Sequence, residues 1–230
     1  MLQARGISKC FGRLTVLQDA SLEICNEIKA LIGINGSGKS TFLKIIAGII
    51  LADNGQVLLN DKDIIGQPPE NRDVGYVPQH PALFRHLNVK ENILYGMRNG
   101  KGSLEAFEQI IELLDLKDIL FKRPRTLSGG YQSRVSLARA LVPQPKILLM
   151  DEPLSSMDVV LKERILPDFR SVLKKLEIPV LYVTHDPWEA ELLADNYAII
   201  DNGQIKQVQT STEAFDLIRT SILRDFERGQ

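Results

Sequence analysis

Residues 29–46 read KALIGINGSGKSTFLKII, and they contain the three parts of a phosphate-binding loop in order. KALI is a short β-like run, and residues 33–40 fit the pattern G-x-x-x-x-G-K-[ST]. The segment after the loop has apolar residues at helical spacing: Phe42, Leu43, Ile45 and Ile46. A strand, a glycine-rich loop and a helix in this order predict a site where backbone N–H groups and a helix N-terminus bind phosphate.

The residue types in this loop predict individual roles. Lys39 is expected to reach the β- and γ-phosphates, and the Ser40 hydroxyl is expected to hold Mg²⁺. An ordinary glycine-rich turn is the alternative, but the flanking strand and helix argue against it. The residues expected to bind nucleotide here are Gly33, Asn35, Gly36, Ser37, Gly38, Lys39, Ser40 and Thr41.

A second stretch with predicted chemistry is ILLMDE at residues 147–152, where four apolar residues end in two acids. Ligands of open parallel sheets bind at the carboxyl ends of the strands, and both acids fall there. Adjacent side chains on an extended backbone point apart, so Asp151 and Glu152 are expected to differ in role. We expect Asp151 to serve Mg²⁺ and Glu152 to act as general base on the attacking water. A solvated acidic turn is the alternative.

Composition argues against several classes of protein. The chain has 230 residues, 25% of them charged, and a net charge of −1 without a basic arm, which argues against a nucleic-acid partner. Cys10 and Cys25 lack zinc-binding spacing. The apolar run at 42–52 is too short for a bilayer and contains Lys44, and the N-terminus has no signal-peptide pattern. A cytoplasmic protein is expected, with any membrane role supplied by a partner.

The remaining patterns predict an α/β chain. Short β-like runs occur at 2–8, 21–25 and 55–60. KILLM (146–150) and PVLYVT (179–184) are continuous apolar runs, typical of parallel strands buried on both faces. The pattern between about 85 and 142 is helical.

Three local signals predict where elements begin and turn. Ser103 is placed to cap a helix whose apolar residues follow it. Asn202-Gly203 predicts a hairpin turn. Thr210 and Glu213 fit a capping box that starts a last helical region.

LSGGYQSR at 127–134 offers a second candidate phosphate site, with a hydroxyl and two glycines just before the amphipathic segment VSLARALV. The phosphate loop, LSGG, DEP after a strand, and His185 in VTHD together resemble the ATP-binding subunits of ABC transporters, from about residue 2 to 205. The resemblance implies ATP and Mg²⁺ as cofactors and an ATPase coupled to transport. It also implies a P-loop NTPase core, mostly parallel and flanked by helices, with an antiparallel β subdomain and an inserted α-helical subdomain.

The same resemblance gives expected boundaries within one ABC ATPase domain spanning 1–230. The ATP-binding core is expected at 1–84 and 143–208, and the helical subdomain at 85–142. The tail at 209–230 is expected to be helical, without a regulatory domain.

In that family two subunits pair head to tail when ATP binds. Ser128, Gly129 and Gly130 are therefore expected to contact the γ-phosphate held by the other copy of a homodimer. Ser155 and Asp158, in PLSSMD, match the loop that crosses the dimer seam. The family commonly has Gln or Glu where this chain has Tyr131, and we expect modest effects on affinity from that change.

Three further positions match the family one at a time. Phe11 matches the aromatic residue that stacks on adenine, although ordinary packing is the alternative for a lone aromatic side chain. Gln79, in GYVPQ, matches the glutamine that touches Mg²⁺ and water. His185 matches the histidine that contacts the γ-phosphate.

HPALFRHLNVKENILYG (80–96) resembles the segment that receives a short helix of the membrane subunit in ABC importers. Leu83, Phe84 and Leu87 would offer apolar contacts, with Arg85 and His86 at the rim; a plain surface of the helical insertion is the alternative. The resemblance implies membrane permease subunits, an extracytoplasmic binding protein and a position on the inner face of the membrane.

PPENRDVGYVPQ and THDPWEAELLAD look most like importers of molybdate, sulfate, iron, polyamines and maltose, and the short chain is similar to molybdate or tungstate import ATPases. A soluble ABC ATPase acting as a remodelling factor and the ATPase subunit of an exporter stay open as alternatives. The sequence does not specify the solute, because the solute touches other subunits.

Overall fold

The structure is a computed structural model that describes residues 1–155, 157 and 159–228. Within these residues the strands are β1 (Leu2–Phe11), β2 (Leu14–Ile24), β3 (Ile28–Ile32), β4 (Asn54–Leu59), β5 (Lys62–Asp63), β6 (Val74–Val77), β7 (Ile147–Asp151), β8 (Val180–Thr184), β9 (Asn196–Asp201) and β10 (Gln204–Val208). The α-helices of the same residues are α1 (Lys39–Ile46), α2 (Val89–Leu94), α3 (Leu104–Leu113), α4 (Gly129–Leu141), α5 (Val159–Lys175), α6 (Pro187–Leu193) and α7 (Ser211–Arg228).

Six strands form a mostly parallel sheet in the order β10-β9-β3-β8-β7-β6. The strands pair in parallel except for β10, which is antiparallel to β9. Every residue of β3, β7 and β8 is buried, and for β7 and β8 this confirms the prediction of strands covered on both faces. These three strands are neighbours, so the residues that follow their carboxyl ends are brought together at one end of the sheet.

The second sheet is antiparallel, in the order β2-β1-β4-β5, and it confirms the predicted antiparallel β subdomain. β2 begins at Leu14, well before the run at 21–25 that the sequence indicated. The β1–β2 register is irregular between Ala4 and Ile7, and Asp19 has a positive φ of 53°. Such a bulge interrupts the alternation of inward and outward side chains, which hides the strand in the sequence.

The apolar core lies on both faces of the main sheet, and β7 contributes to each side. Leu149 belongs to the cluster that joins the main sheet, α1 and the antiparallel sheet. Leu148 and Met150 belong to the cluster on the opposite face, which also includes Val135 of α4 and Leu166 of α5. Successive side chains of a strand point to opposite faces, so this double burial holds β7 and the acids at its end in a fixed position.

The segment predicted to be helical, residues 85–142, contains α2, α3 and α4, and the prediction of an inserted helical region is confirmed. Ser103 caps α3 as expected, because its hydroxyl accepts a hydrogen bond of 3.1 Å from the Ala106 N–H. The proposed boundaries between the ATP-binding core, the helical subdomain and the tail stay predictions.

The last elements follow the predicted turn chemistry. Asn202 and Gly203 have φ values of 48° and 73°, as a two-residue hairpin turn between β9 and β10 requires. The Thr210 hydroxyl accepts a hydrogen bond of 3.1 Å from the Glu213 N–H at the start of α7. Among the described residues, none of the helices has the length and apolar character needed to cross a membrane.

Candidate active site

The loop between β3 and α1 requires glycine at two positions. Gly38 has a φ of +103°, and a Cβ at this position would lie 2.9 Å from the Val16 carbonyl oxygen. At Gly33 a Cβ would lie 2.7 Å from the Ile200 carbonyl oxygen. Real Cβ atoms do not approach backbone atoms this closely, so other residues would push the loop away from the neighbouring strands.

The inside of this loop fits an anion such as a phosphate group. A Cβ added to Gly36 would meet no atom within 4 Å, so the backbone there is open to a ligand. The Ser37 hydroxyl is buried and has no hydrogen-bond partner among the described residues. An unpaired buried hydroxyl is costly, and a phosphate oxygen would satisfy it. The loop also leads into the N-terminus of α1, where the helix dipole favours negative charge.

Lys39 holds a positive charge inside the loop. Its Nζ donates hydrogen bonds of 2.8 Å to the Gly33 carbonyl and 2.7 Å to the Ile34 carbonyl, and lies 3.6 Å from Glu152 Oε1. Burial lowers the pKa of Lys39, while the Glu152 carboxylate opposes that shift. The ammonium group is therefore oriented by the backbone of the loop and paired with the acid that follows β7.

Asp151 ends β7 and is 3% exposed. Its Oδ1 accepts a hydrogen bond of 2.9 Å from the Ser40 hydroxyl, and its Oδ2 accepts one of 3.2 Å from the Tyr76 hydroxyl. Burial raises the pKa of Asp151 above its ordinary value of 3.8, and the two hydroxyl groups oppose that change. Burial and the nearby Asp151 raise the pKa of Tyr76, which keeps its hydroxyl protonated as a donor.

Glu152 makes a separate set of contacts, as the sequence predicted for two adjacent acids. Its Oε2 lies 2.9 Å from His185 Nδ1 and 3.4 Å from Gln79 Nε2. The side chain is buried, and the backbone has a φ of 45°, which is unfavourable for a non-glycine residue. Such strained backbone occurs often at functional sites and needs support from the surrounding structure. Here the Glu152 N–H donates a hydrogen bond of 3.1 Å to the Val183 carbonyl of β8.

The residues that could hold a divalent cation carry oxygen atoms. Ser40 and Asp151 are hydrogen-bonded to each other, and Gln79 reaches the same end of the sheet through its contact with Glu152. A hydroxyl, a carboxylate and an amide oxygen match the preference of Mg²⁺ for hard oxygen ligands. The donor set of this chain therefore fits the predicted magnesium site.

A cavity of about 500 Å³ opens at the loop, within the range of small-molecule binding sites. Phe11 lies at its edge with 48% of its surface exposed, and Lys9 Nζ is 5.4 Å from the centre of its ring. An aromatic side chain with this exposure can accept a stacked base. The lining residues are Phe11, Val16, Asn35, Gly36, Gly38, Lys39, Ser40, Thr41, Gln79 and Glu152.

The LSGG segment lies at the start of α4 and lines a different cavity, of about 350 Å³. Ser128 is the N-cap residue of α4, and a Cβ added to Gly129 would meet no atom within 4 Å. Tyr131 is partly exposed, and the Arg134 guanidinium carbon is 5.7 Å from the centre of its ring. This second helix N-terminus is therefore open to solvent.

The predicted contact segment for a membrane subunit is partly buried. Leu83, Phe84 and Leu87 have intermediate exposure, while Arg85 is exposed. The Phe84 ring packs 4.4 Å from the Tyr95 ring, measured between centroids. Part of the apolar surface expected for a partner therefore packs within the chain.

Of the two predicted seam residues, the structure describes Ser155. Ser155 has intermediate exposure, and its N–H donates a hydrogen bond of 3.1 Å to the Glu152 carbonyl. Asp158 lies outside the described residues.

Tyr76 is a site residue that the sequence did not reveal. It lies on β6, a strand of four residues next to β7, and that pairing brings its hydroxyl to Asp151. A signal for it exists only once the strand order is known, because a single tyrosine in a short strand has no distinctive spacing.

Comparisons with known proteins agree with this fold. The family model described as ABC transporter matches residues 17–155. A solved structure of a nucleotide-free ATP-binding cassette from an ABC transporter superposes with a TM-score of 0.82 at 27% identity, covering 96% of this chain and 95% of that chain.

Curated relatives extend the match over most of the sequence. A molybdate/tungstate import ATP-binding protein of Archaeoglobus fulgidus is 43% identical over 86% of this chain and 83% of its own length. The corresponding protein of Methanocaldococcus jannaschii is 44% identical over 89% of this chain and 69% of its own length. A sulfate/thiosulfate import ATP-binding protein of a Synechocystis species is 38% identical over 91% of this chain and 61% of its own length. The resemblance found in the sequence is confirmed, and the chain belongs to the ABC transporter family.

Proposed function

We propose that this chain is the ATP-hydrolysing subunit of an ABC importer. The observation that carries the proposal is the placement of Glu152, which lies among Lys39, Gln79 and His185 beside the phosphate loop. A carboxylate at that place can accept a proton from water next to a bound terminal phosphate. The relatives named as import ATP-binding proteins support the transport role.

In this proposal each loop residue acts on one part of ATP. Phe11 stacks on the adenine, and the backbone of residues 33–41 surrounds the phosphates. Lys39 stabilises negative charge on the β- and γ-phosphates, and His185 contacts the γ-phosphate. Ser40, Asp151 and Gln79 would hold Mg²⁺, which when bound neutralises phosphate charge.

The LSGG segment completes the site from a second copy of the chain. Ser128 and Gly129 are exposed at the N-terminus of α4, so with Gly130 they can present this helix end to the γ-phosphate of a partner. One helix N-terminus contributes about 0.3–1 kcal/mol to anion binding, while association costs roughly 4–15 kcal/mol. Two such contacts alone cannot hold a dimer, so pairing depends on the ATP bound between the two copies. Ser155 and Asp158 lie at the seam in this arrangement.

The proposed role as an importer ATPase also implies partner proteins. The segment with Leu83, Phe84, Arg85 and Leu87 contacts membrane permease subunits at the inner face of the membrane, and a binding protein delivers the solute. Molybdate or tungstate is the solute class proposed, because two relatives with 43% and 44% identity carry those names.

The Glu152→Gln variant tests the catalytic assignment. We expect ATP binding to persist, and phosphate release to fall at least about a hundredfold, the lower end of what a general base contributes. Because hydrolysis no longer reopens the pair, size-exclusion chromatography with ATP and Mg²⁺ should show a stable dimer. Glu177→Gln is the matched control, since Glu177 is exposed and also has a positive φ, of 52°. Near-native turnover in Glu152→Gln would contradict the proposal.

A further inference from the structure

A buried ion pair joins α5 to the segment that carries His185. Lys162 Nζ lies 2.6 Å from Glu189 Oε1, and the two side chains are 11% and 2% exposed. Neither residue is among those that line the cavity at the phosphate loop. Charged side chains are rarely buried this deeply, and removing them from water is costly. A buried ion pair often adds little to the free energy of unfolding. The role of this pair is therefore sought in the other groups that it contacts.

The second oxygen of Glu189 holds the end of β8. Glu189 Oε2 accepts hydrogen bonds of 2.8 Å from the Tyr182 hydroxyl and 2.8 Å from the Thr184 hydroxyl. Burial and the adjacent Glu189 raise the pKa of Tyr182, so its hydroxyl stays protonated and can donate. Thr184 is the last residue of β8 and directly precedes His185.

The other neighbour of His185 is tied to the same pair. Asp186 Oδ2 lies 3.7 Å from Lys162 Nζ, and the Asp186 N–H donates a hydrogen bond of 3.0 Å to the Thr184 hydroxyl. The His185 side chain itself is 52% exposed, and its Nδ1 lies 2.9 Å from Glu152 Oε2. A half-exposed imidazole can keep that distance when the backbone on both sides of it is fixed.

We propose that Lys162 and Glu189 are positioning residues for ATP hydrolysis, because their ion pair fixes the backbone on both sides of His185 and so holds its imidazole against Glu152. The proposal rests on the proposed function, in which His185 contacts the γ-phosphate. Lys162 lies in the first turn of α5, which begins at Val159, shortly after the predicted seam residue Ser155. The pair therefore also links the predicted dimer seam to His185.

The Lys162→Met variant, which keeps the stem and removes the charge, tests the inference in the full chain. We expect kcat to fall about ten- to a hundredfold with the KM for ATP changed by less than about twofold, since misplacement acts on the chemical step. The imidazole resonances of His185 should shift in the NMR spectrum of the nucleotide-free protein. The chain has three histidines, so His80 and His86 serve as internal references.

Two control variants separate positioning from a general effect of charge. Lys174 lies on the same helix and pairs with Asp195, whose carboxylate also accepts a hydrogen bond from the Ile28 N–H of β3, so Lys174→Met should leave kcat and the His185 resonances unchanged. Lys162→Arg should restore both readouts, because it returns a cation to Glu189.

A double variant separates positioning from folding stability. In Lys162→Met/Glu189→Gln no buried charge is left unpaired, so the melting temperature should recover while kcat stays low, because the link to Asp186 is still missing. Recovery of kcat together with stability would overturn the proposal.

Two further results would overturn it as well. One is that the His185 resonances of Lys162→Met match those of the native protein. The other concerns the His185→Ala protein. If Lys162 acts through His185, the two effects are not additive, and Lys162→Met should lower the residual kcat of His185→Ala by less than it lowers the kcat of the native protein. An equal fold-loss in both proteins would therefore contradict the proposal. Lack of ATP hydrolysis by the native chain would contradict the proposed function instead, and the NMR comparison would still decide the positioning role.

Discussion

At the scale of single residues, the charge of Asp151 is expected to serve magnesium binding and to lower the stability of the fold. Its carboxyl group is buried at the end of β7, and burial raises its pKa. A carboxyl group with a raised pKa binds its proton more tightly in the folded than in the unfolded protein. Protonation of Asp151 therefore favours folding at low pH, and this contribution is lost as pH rises through its pKa. The ionised form needed for a magnesium ligand is the less stable one.

The Asp151→Asn variant should consequently gain stability as it loses activity. Asparagine does not ionise, so we expect the melting temperature of the metal- and nucleotide-free protein to rise relative to the native chain at pH 8. Each kcal/mol gained corresponds to about 2–4 °C for a chain of this size. The difference should shrink as the pH is lowered towards 4, because Asp151 then takes up a proton as well. Thermal melts followed by circular dichroism across this pH range, with EDTA present, provide the measurement.

Ser40, the predicted magnesium ligand that is hydrogen-bonded to Asp151, provides a control for this prediction. Ser40→Ala should also abolish turnover, yet it takes away a hydrogen-bond donor from Asp151 and leaves the buried charge. Its melting temperature should therefore fall. If Asp151→Asn also melted below the native protein at pH 8, the charge of Asp151 would not be the source of the instability.

At the scale of elements, Asn92 of α2 fixes the segment that the proposal assigns to the membrane subunit. Its side chain is fully buried, and Oδ1 accepts a hydrogen bond of 2.8 Å from the Phe84 N–H. Its Nδ2 donates to the carbonyl groups of Phe84, Leu87 and Asn88. Arg139 of α4 holds the start of the same segment through hydrogen bonds of 3.0 Å to the Ala82 and Pro81 carbonyls. The segment is thus attached to the helix that begins with LSGG.

The Asn92→Ala variant should lose this order. Each buried backbone group left without a partner costs about 1–3 kcal/mol, so we expect the free energy of unfolding to fall by about 2–4 kcal/mol, allowing for partial access of water. Hydrogen exchange at the Phe84 amide should accelerate. Asn88→Ala is the matched control on the same helix, because it removes the N-cap and should cost about 1 kcal/mol. Unchanged exchange at Phe84 would contradict the role of Asn92.

Asn92 also shows what the sequence can and cannot predict at this scale. The strands β3 and β7 could be predicted because they are continuous apolar runs, and Lys39, Asp151 and Glu152 could be located because they follow those strands. Asn92 could not, because hydrophobic patterning assigns polar residues to the surface and α2 is too short to show a period. The same limit hid Lys162 and Glu189, whose partners are brought together by the packing of α5 on α6. His185 and Gln79 were found through the family motif, since neither has a distinctive spacing of its own.

At the scale of the whole molecule, the proposed function gives the chain two incomplete phosphate sites. The phosphate loop has the Glu152 carboxyl group and a buried cation beside it, while the N-terminus of α4 has an open glycine and lines a separate cavity. Two copies related by a two-fold axis can combine each loop with the partner's LSGG segment, and closed pairs of this kind are the commonest symmetric assemblies. Division of one site between two copies predicts that defects in different halves compensate each other.

Mixing two inactive variants tests that division. Lys39→Ala removes the cation of the loop, and Ser128→Arg blocks the LSGG segment, so each pure protein should have negligible turnover. In a mixed pair, the intact loop of the Ser128→Arg chain faces the intact LSGG segment of the Lys39→Ala chain, and one site of two is complete. An equimolar mixture should then recover about a quarter of native phosphate release if the sites act independently, since half of the randomly formed pairs are mixed. Lys39→Ala mixed with the double variant Lys39→Ala/Ser128→Arg should stay inactive, because that mixture contains no intact loop. A first mixture as inactive as this control would contradict the predicted compensation between the two halves of the site.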